Sequence, residues 1–298
     1  MNSPTPEDLL RTLEEAQAAF AKQEYRLALA RYQWVERHIQ DDPENLPVIQ
    51  IEIGWSHYLL QEYPDAIRYF AKALQSPRLN PTQRFDCLRL SGFSYEFAGD
   101  PEKASAFLQD ALAQEVEETL KRYTYFELGK ICFAQRRLAE AKAPLLKARQ
   151  LFGAGEAPAG EREYLQTTLY YLGFIAFFEG DPGEAEKLFR EYVEKAPDLK
   201  SQAPGYFGLA HLFYERKEYP ALLDVCDKIL HLDADFYDKE TLAFFLCRGY
   251  LELQMWEELE MFLPNLIETY PEGRYQAAYP QLQWALRHRR LPPRGPEA

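Results

Sequence analysis

A phrase that returns at a fixed distance restricts this chain more than any other feature. Residues 97–112 read FAGDPEKASAFLQDAL, and 81 residues later residues 178–193 read FEGDPGEAEKLFREYV. In both copies a glycine, Gly99 or Gly180, stands where one helix must stop and the chain must turn. Asp100 or Asp181 follows as a helix N-cap, and Pro101 or Pro182 takes the first helical position, where a missing N–H costs nothing. Looser copies lie at 22–35, 61–74, 135–148, 217–230 and 253–266. Alignment on the small or short residue of the second helix gives Ala28, Ala66, Ala104, Ala141, Ala185, Leu222 and Leu259, at intervals of 38, 38, 37, 44, 37 and 37. Such a period means stacked units, each needing its neighbour to cover an apolar face.

The upstream helix repeats as well. Twelve residues before each alignment point stands Ala16, Gly54, Gly92, Gly129, Gly173, Ala210 or Cys247, and an aromatic follows three or four residues later (Phe20, Tyr58, Tyr95, Phe133, Phe177, Phe213, Tyr250). This pattern resembles the tetratricopeptide repeat (TPR) family. The best match is YLGFIAFFEGDPGEAEKLFREYVEKAP, 171–197, with Pro197 at the family's terminal proline. The resemblance covers residues 9–271. The period exceeds the family's usual one of about 34 residues, and the first and last repeats are degenerate. It implies an all-α, right-handed solenoid of helical hairpins, with about seven repeats at 9–46, 47–84, 85–121, 122–160, 166–202, 203–239 and 240–272. A capping helix is expected at 274–291, with a disordered tail at 292–298; together, 1–291 reads as a single solenoid. The small-residue stretch 153–160 reads as an exposed loop inside the long interval, and Pro144 and Pro264 fall inside second helices, which they should bend.

Composition narrows the function. A net charge of −13 disfavours nucleic acid and anionic membrane as partners. No apolar run has the length of a membrane span, and the first residues lack the basic-then-apolar pattern of a secretion signal, so a cytoplasmic location is expected. Cys87, Cys132, Cys226 and Cys247 show no metal or redox spacing and read as small apolar residues of a reducing compartment. The five histidines form no ligand motif, and no phosphate loop or nucleophile motif is present. No metal or cofactor is expected, and the chain does not read as an enzyme.

The family resemblance places ligands on the face formed by the first helices. On the family's groove positions stand Trp55, Tyr58, Arg89, Phe93, Phe126, Lys130, Tyr170, Phe174, Phe177, Phe207, His211, Tyr214, Phe244 and Arg248. That face is unusually aromatic, which suits an amphipathic helix or an extended peptide with apolar anchors. Arg89, Lys130 and Arg248 could receive carboxylates. The clamp by which some family members grip a carboxy-terminal carboxylate is missing, because Leu13, Gln17, Ile51 and Glu52 occupy its positions. The expectation is a non-catalytic adaptor for a protein or peptide partner. The alternatives are a self-assembling structural protein and a sensor of a short peptide or small hydrophobic ligand.

Overall fold

The computed structural model describes residues 4–153 and 159–292. Among the described residues there are fifteen α-helices and no strand. The chain divides into two compact units, Met1–Ala154 and Gly155–Ala298. The first holds four hairpins: α1 (Pro6–Ala21) with α2 (Tyr25–His38), α3 (Leu46–Leu59) with α4 (Tyr63–Leu74), α5 (Pro81–Phe97) with α6 (Pro101–Leu112), and α7 (Arg122–Ala134) with α8 (Leu138–Phe152). The second holds three: α9 (Ala159–Phe178) with α10 (Pro182–Lys195), α11 (Ala203–Glu215) with α12 (Tyr219–Leu232), and α13 (Lys239–Glu252) with α14 (Trp256–Thr269), followed by α15 (Tyr279–His288).

The helix starts are written locally. Thr5 and Asp8 form a capping box, as do Asn80 and Gln83, and Asp100, Asp181 and Asp238 each accept the backbone N–H three residues on. Within every hairpin the turn is the same. One residue takes a left-handed conformation: Gln23, Gln61, Gly99, Arg136, Gly180, Lys217 or Gln254. The next N–H then closes onto a carbonyl five residues back, as in Glu62 to His57 and Asp100 to Tyr95 (both 2.9 Å). This is the Schellman closure of a helix C-terminus. Only two of the seven turns use glycine.

A side chain in that conformation costs about 1–2 kcal/mol, part of which glycine gives back as unfolded-state freedom. Gln61→Gly should therefore stabilise the protein by about 0.5–1 kcal/mol, and Gly99→Ala should destabilise it by about 1 kcal/mol. A Cβ on Gly99 would meet nothing within 4 Å, so that cost is conformational alone. Urea midpoints at unchanged slope measure both. Two shifts of the same sign would contradict this account.

The core is built on a register of sixteen residues. Each small first-helix residue is followed sixteen residues later by a buried second-helix residue: Tyr32, Phe70, Leu108, Leu145, Phe189, Cys226 and Leu263. For the glycines the pairing is direct. A Cβ on Gly54 would lie 2.7 Å from the Phe70 ring, on Gly92 2.6 Å from Leu108, on Gly129 2.5 Å from Leu145, and on Gly173 2.5 Å from the Phe189 ring. The alignment residues Ala28, Ala66, Ala104, Ala141, Ala185, Leu222 and Leu259 are all fully buried.

Three features differ from the sequence reading. Part of the long interval is helix, since α9 begins at Ala159, inside the stretch expected as loop; residues 154–158 lie outside the described residues. The final helix is shorter than expected: Gln276–Ala278 is a 3-10 turn and α15 begins only at Tyr279. The segment before it turns back over α13, where Tyr275 stacks on Phe244 and Arg274 bonds Asp238 and Glu240. The tail expected at 292–298 lies outside the described residues from 293 on. Pro144 and Pro264 do sit inside α8 and α14.

Candidate functional site

In the first unit the face of α1, α3, α5 and α7 carries both rings and charges. Trp55 meets Phe20 edge-on at 6.2 Å, and the Arg89 guanidinium lies 5.9 Å from the Trp55 ring centre. Tyr58 borders Tyr63 and the exposed Phe97, which stack on each other at 5.0 Å. Trp55 and Tyr58 are half-buried, whereas Phe93 and Phe126 are buried and serve the core, Phe126 against Phe152. Burial, with Tyr63 and Glu127 nearby, pushes the Tyr58 hydroxyl up to about 12.

The cations of this face are already engaged. Arg89 bonds Asp86 at 2.7 Å, and Lys130 pairs with Glu96 at 2.9 Å and with Glu127. Burial pushes Glu127 up to about 7, against the downward pull of the Lys130 ammonium. Four half-buried carboxylates, Glu52, Asp86, Glu96 and Glu127, thus face two cations. Among the described residues the Glu52 carboxylate has no hydrogen bond and no ion pair, and burial and the neighbouring Asp86 raise its pKa. Glu52 also lines a cavity of about 350 Å³ between α1, the end of α2 and α3, together with Leu10, Leu13, Ile39, Asp42 and Ile49.

In the second unit the face of α9, α11 and α13 is an aromatic cluster around His211. Phe207 lies 4.8 Å from that imidazole, Phe245 5.0 Å, Phe174 5.6 Å and Phe177 6.1 Å, all nearly edge-on. Burial holds His211 down at about 4, which keeps it neutral; Asp238 pulls upward and Arg274 downward. Tyr214 stacks on Phe245 at 4.7 Å, and the Tyr170 and Tyr237 hydroxyls share a 2.7 Å hydrogen bond. Tyr170, Phe177, His211 and Tyr214 are half-buried.

The remaining groove positions here belong to the fold. Phe174 packs on Phe189, Phe207 on Phe236, and Phe244 lies under Tyr275 with the rings 3.9 Å apart; all three are buried. Arg248 is paired with Glu252 at 2.8 Å. Sequence reasoning missed Tyr237, Phe245 and Glu127 as parts of these faces, and met Glu52 only as a residue that breaks the carboxylate clamp. Tyr237 lies before α13, off the repeat register, whereas Phe245, Glu52 and Glu127 each adjoin a groove position in sequence. Among the described residues no cluster of histidine, cysteine and carboxylate side chains could hold a metal ion, and no helix is long and apolar enough to cross a membrane.

A tetratricopeptide-repeat family profile matches residues 167–198, the later part of α9 and all of α10. No curated protein matches the chain by sequence. Among solved structures, the chain is similar to the apo form of RapI, with TM-score 0.66 at 12% identity over 93% of this chain and 81% of that one. It is similar to the C-terminal part of a TPR repeat-containing protein from Cytophaga hutchinsonii, with TM-score 0.63 at 14% identity over 90% and 98%. It is also similar to YrrB, described as a TPR protein with an unusual peptide-binding site, with TM-score 0.55 at 17% identity over 67% and 92%. Its hairpins repeat in sequence, turn and core register, one of them is matched by the tetratricopeptide-repeat profile, and the chain has the fold of a tetratricopeptide-repeat helical-hairpin solenoid.

Proposed function

We propose that the chain is a non-catalytic adaptor that holds a peptide segment of a protein partner on the faces formed by its first helices. One observation carries this reading. Trp55 and Tyr58 in the first unit, and Tyr170, Phe177, His211 and Tyr214 in the second, stay only half covered while the residues around them are buried. Rings in that setting offer apolar area to a partner at little cost in side-chain freedom. Each fully buried anchor is worth roughly 1.5–3 kcal/mol, against roughly 4–15 kcal/mol lost on association. Several anchors, with added polar contacts, are therefore required. The peptide-binding site named for YrrB supports a peptide as the kind of ligand. The four thiols, all buried and free, suit a reducing compartment.

The test is affinity capture from the native lysate with wild type, a Trp55→Ala/Tyr58→Ala variant and a Phe177→Ala/Tyr214→Ala variant, each first shown to melt cooperatively. Phe174 is left intact because its loss would open the core beside Phe189. A partner held by wild type and lost by either variant supports the reading. A partner held equally by all three would place recognition elsewhere.

A further inference from the structure

We propose that the first-helix face of the N-terminal unit takes an amphipathic segment whose apolar side chains enter the cavity between α1 and α3 and whose lysine or arginine reaches Glu52. This rests on the adaptor reading and names the chemistry of its partner. The cavity of about 350 Å³ is walled by leucine and isoleucine, which suits apolar side chains. Its polar members are acidic or neutral: Asp42, Glu52, Gln17 and Asn45. A carboxylate withdrawn from water is costly unless paired, and Glu52 has no hydrogen-bond or ion-pair partner among the described residues. The cations nearest along the face are spent, Arg89 on Asp86 and Lys130 on Glu96 and Glu127. An incoming ammonium or guanidinium would supply the missing counter-charge, with the half-buried Trp55 ring one helical turn along α3 from Glu52. An acidic ligand would meet like charge at Asp42 and Glu52. The face thus selects in the opposite sense to a carboxylate clamp.

The probe is a short fluorescein-labelled peptide of leucine and lysine patterned as an amphipathic helix, measured by anisotropy in about 0.15 M salt, where non-specific attraction to an acidic protein is screened. Two companions replace every lysine by glutamate or every leucine by serine. The leucine–lysine probe should bind, and both companions should bind at least about tenfold more weakly. Glu52→Gln should weaken the probe about tenfold. Asp110→Asn, which removes one exposed charge from α6, should change it less than about twofold. Glu52→Gln removes an unpaired half-buried charge at constant shape, so it should fold at least as well as wild type, which melting will show. Equal effects of the two substitutions, or equal binding of the glutamate peptide, would overturn the proposal. So would light scattering that shows a second copy filling the cavity, with dissociation by Leu10→Glu. If the probe test fails while Trp55→Ala/Tyr58→Ala still loses its captured partner, the adaptor reading stands and this inference falls.

Discussion

Phe189→Ala is expected to destabilise the C-terminal unit by about 3–5 kcal/mol, the usual range for deleting a fully buried ring. Phe189 has no exposed surface. Its ring is wedged between two glycines, Gly173 on α9 of its own hairpin and Gly208 on α11 of the next, and a Cβ at either position would overlap it. The ring therefore fastens one hairpin internally and also joins it to its neighbour. Gly173→Leu should cost about 1–3 kcal/mol by overpacking. The two substitutions share one space, so the double variant Phe189→Ala/Gly173→Leu should recover much of the loss. Denaturant titrations of the two single variants and the double variant close the cycle. Strict additivity would show that the ring and the glycine do not share that space.

Glu127→Gln is expected to change how stability depends on pH. Burial raises the folded-state pKa of Glu127 from 4.5 to about 7. Lys130 and Glu127 on α7 and Glu96 on α5 are in contact there, and Tyr58 on α3 and Arg89 on α5 share their electrostatic field. The folded protein keeps this proton to a higher pH than the unfolded chain does. Its contribution is therefore fully present below about pH 4.5 and is lost as pH rises through about 7. Wild type should therefore lose stability relative to Glu127→Gln as pH rises from about 5 to 7.5, on the order of 2 kcal/mol at about 1.4 kcal/mol per pKa unit. His211 runs the other way. Its folded pKa is depressed from 6.5 to about 4, so it adds stability as pH rises over that range. The two trends offset in wild type, and the difference between wild type and variant is the quantity to measure. A difference that stays flat across the window would show that Glu127 is ionised throughout.

The hairpins were legible because their signals are local. Asp100 and Asp181 cap, Pro101 and Pro182 open a helix, and small residues recur at close helix crossings, each readable without tertiary information. The turn conformation was legible only where it is glycine. Gln23, Gln61, Arg136, Lys217 and Gln254 look like ordinary polar residues, yet the Schellman closure places them in the same left-handed seat. The groove was half legible. Helical spacing puts Phe174, Phe207 and Phe244 on the same face as Phe177 and Tyr214, but it does not say what covers them. The covering rings, Phe189, Phe236 and Tyr275, come from a second helix, a loop and the segment before α15. The charged residues carried the least sequence signal, since Glu52, Asp86 and Glu127 resemble any solvated helix face until their burial and pairing are known.

The sixteen-residue register has a consequence for assembly of the chain. Repeat proteins are prone to docking a helix on the wrong neighbour, because every hairpin offers a similar face. Here the small and large members vary along the chain: Ala16 with Tyr32, Gly54 with Phe70, Gly92 with Leu108, Gly129 with Leu145, Gly173 with Phe189, Ala210 with Cys226, Cys247 with Leu263. A tyrosine-bearing second helix set against Cys247 would clash, and the cysteine-bearing one set against Gly54 would leave a void. Steric mismatch of this kind would penalise a helix docked on the wrong neighbour. It also implies that hairpins could be exchanged freely only between positions of equal code, such as Gly92–Leu108 with Gly129–Leu145.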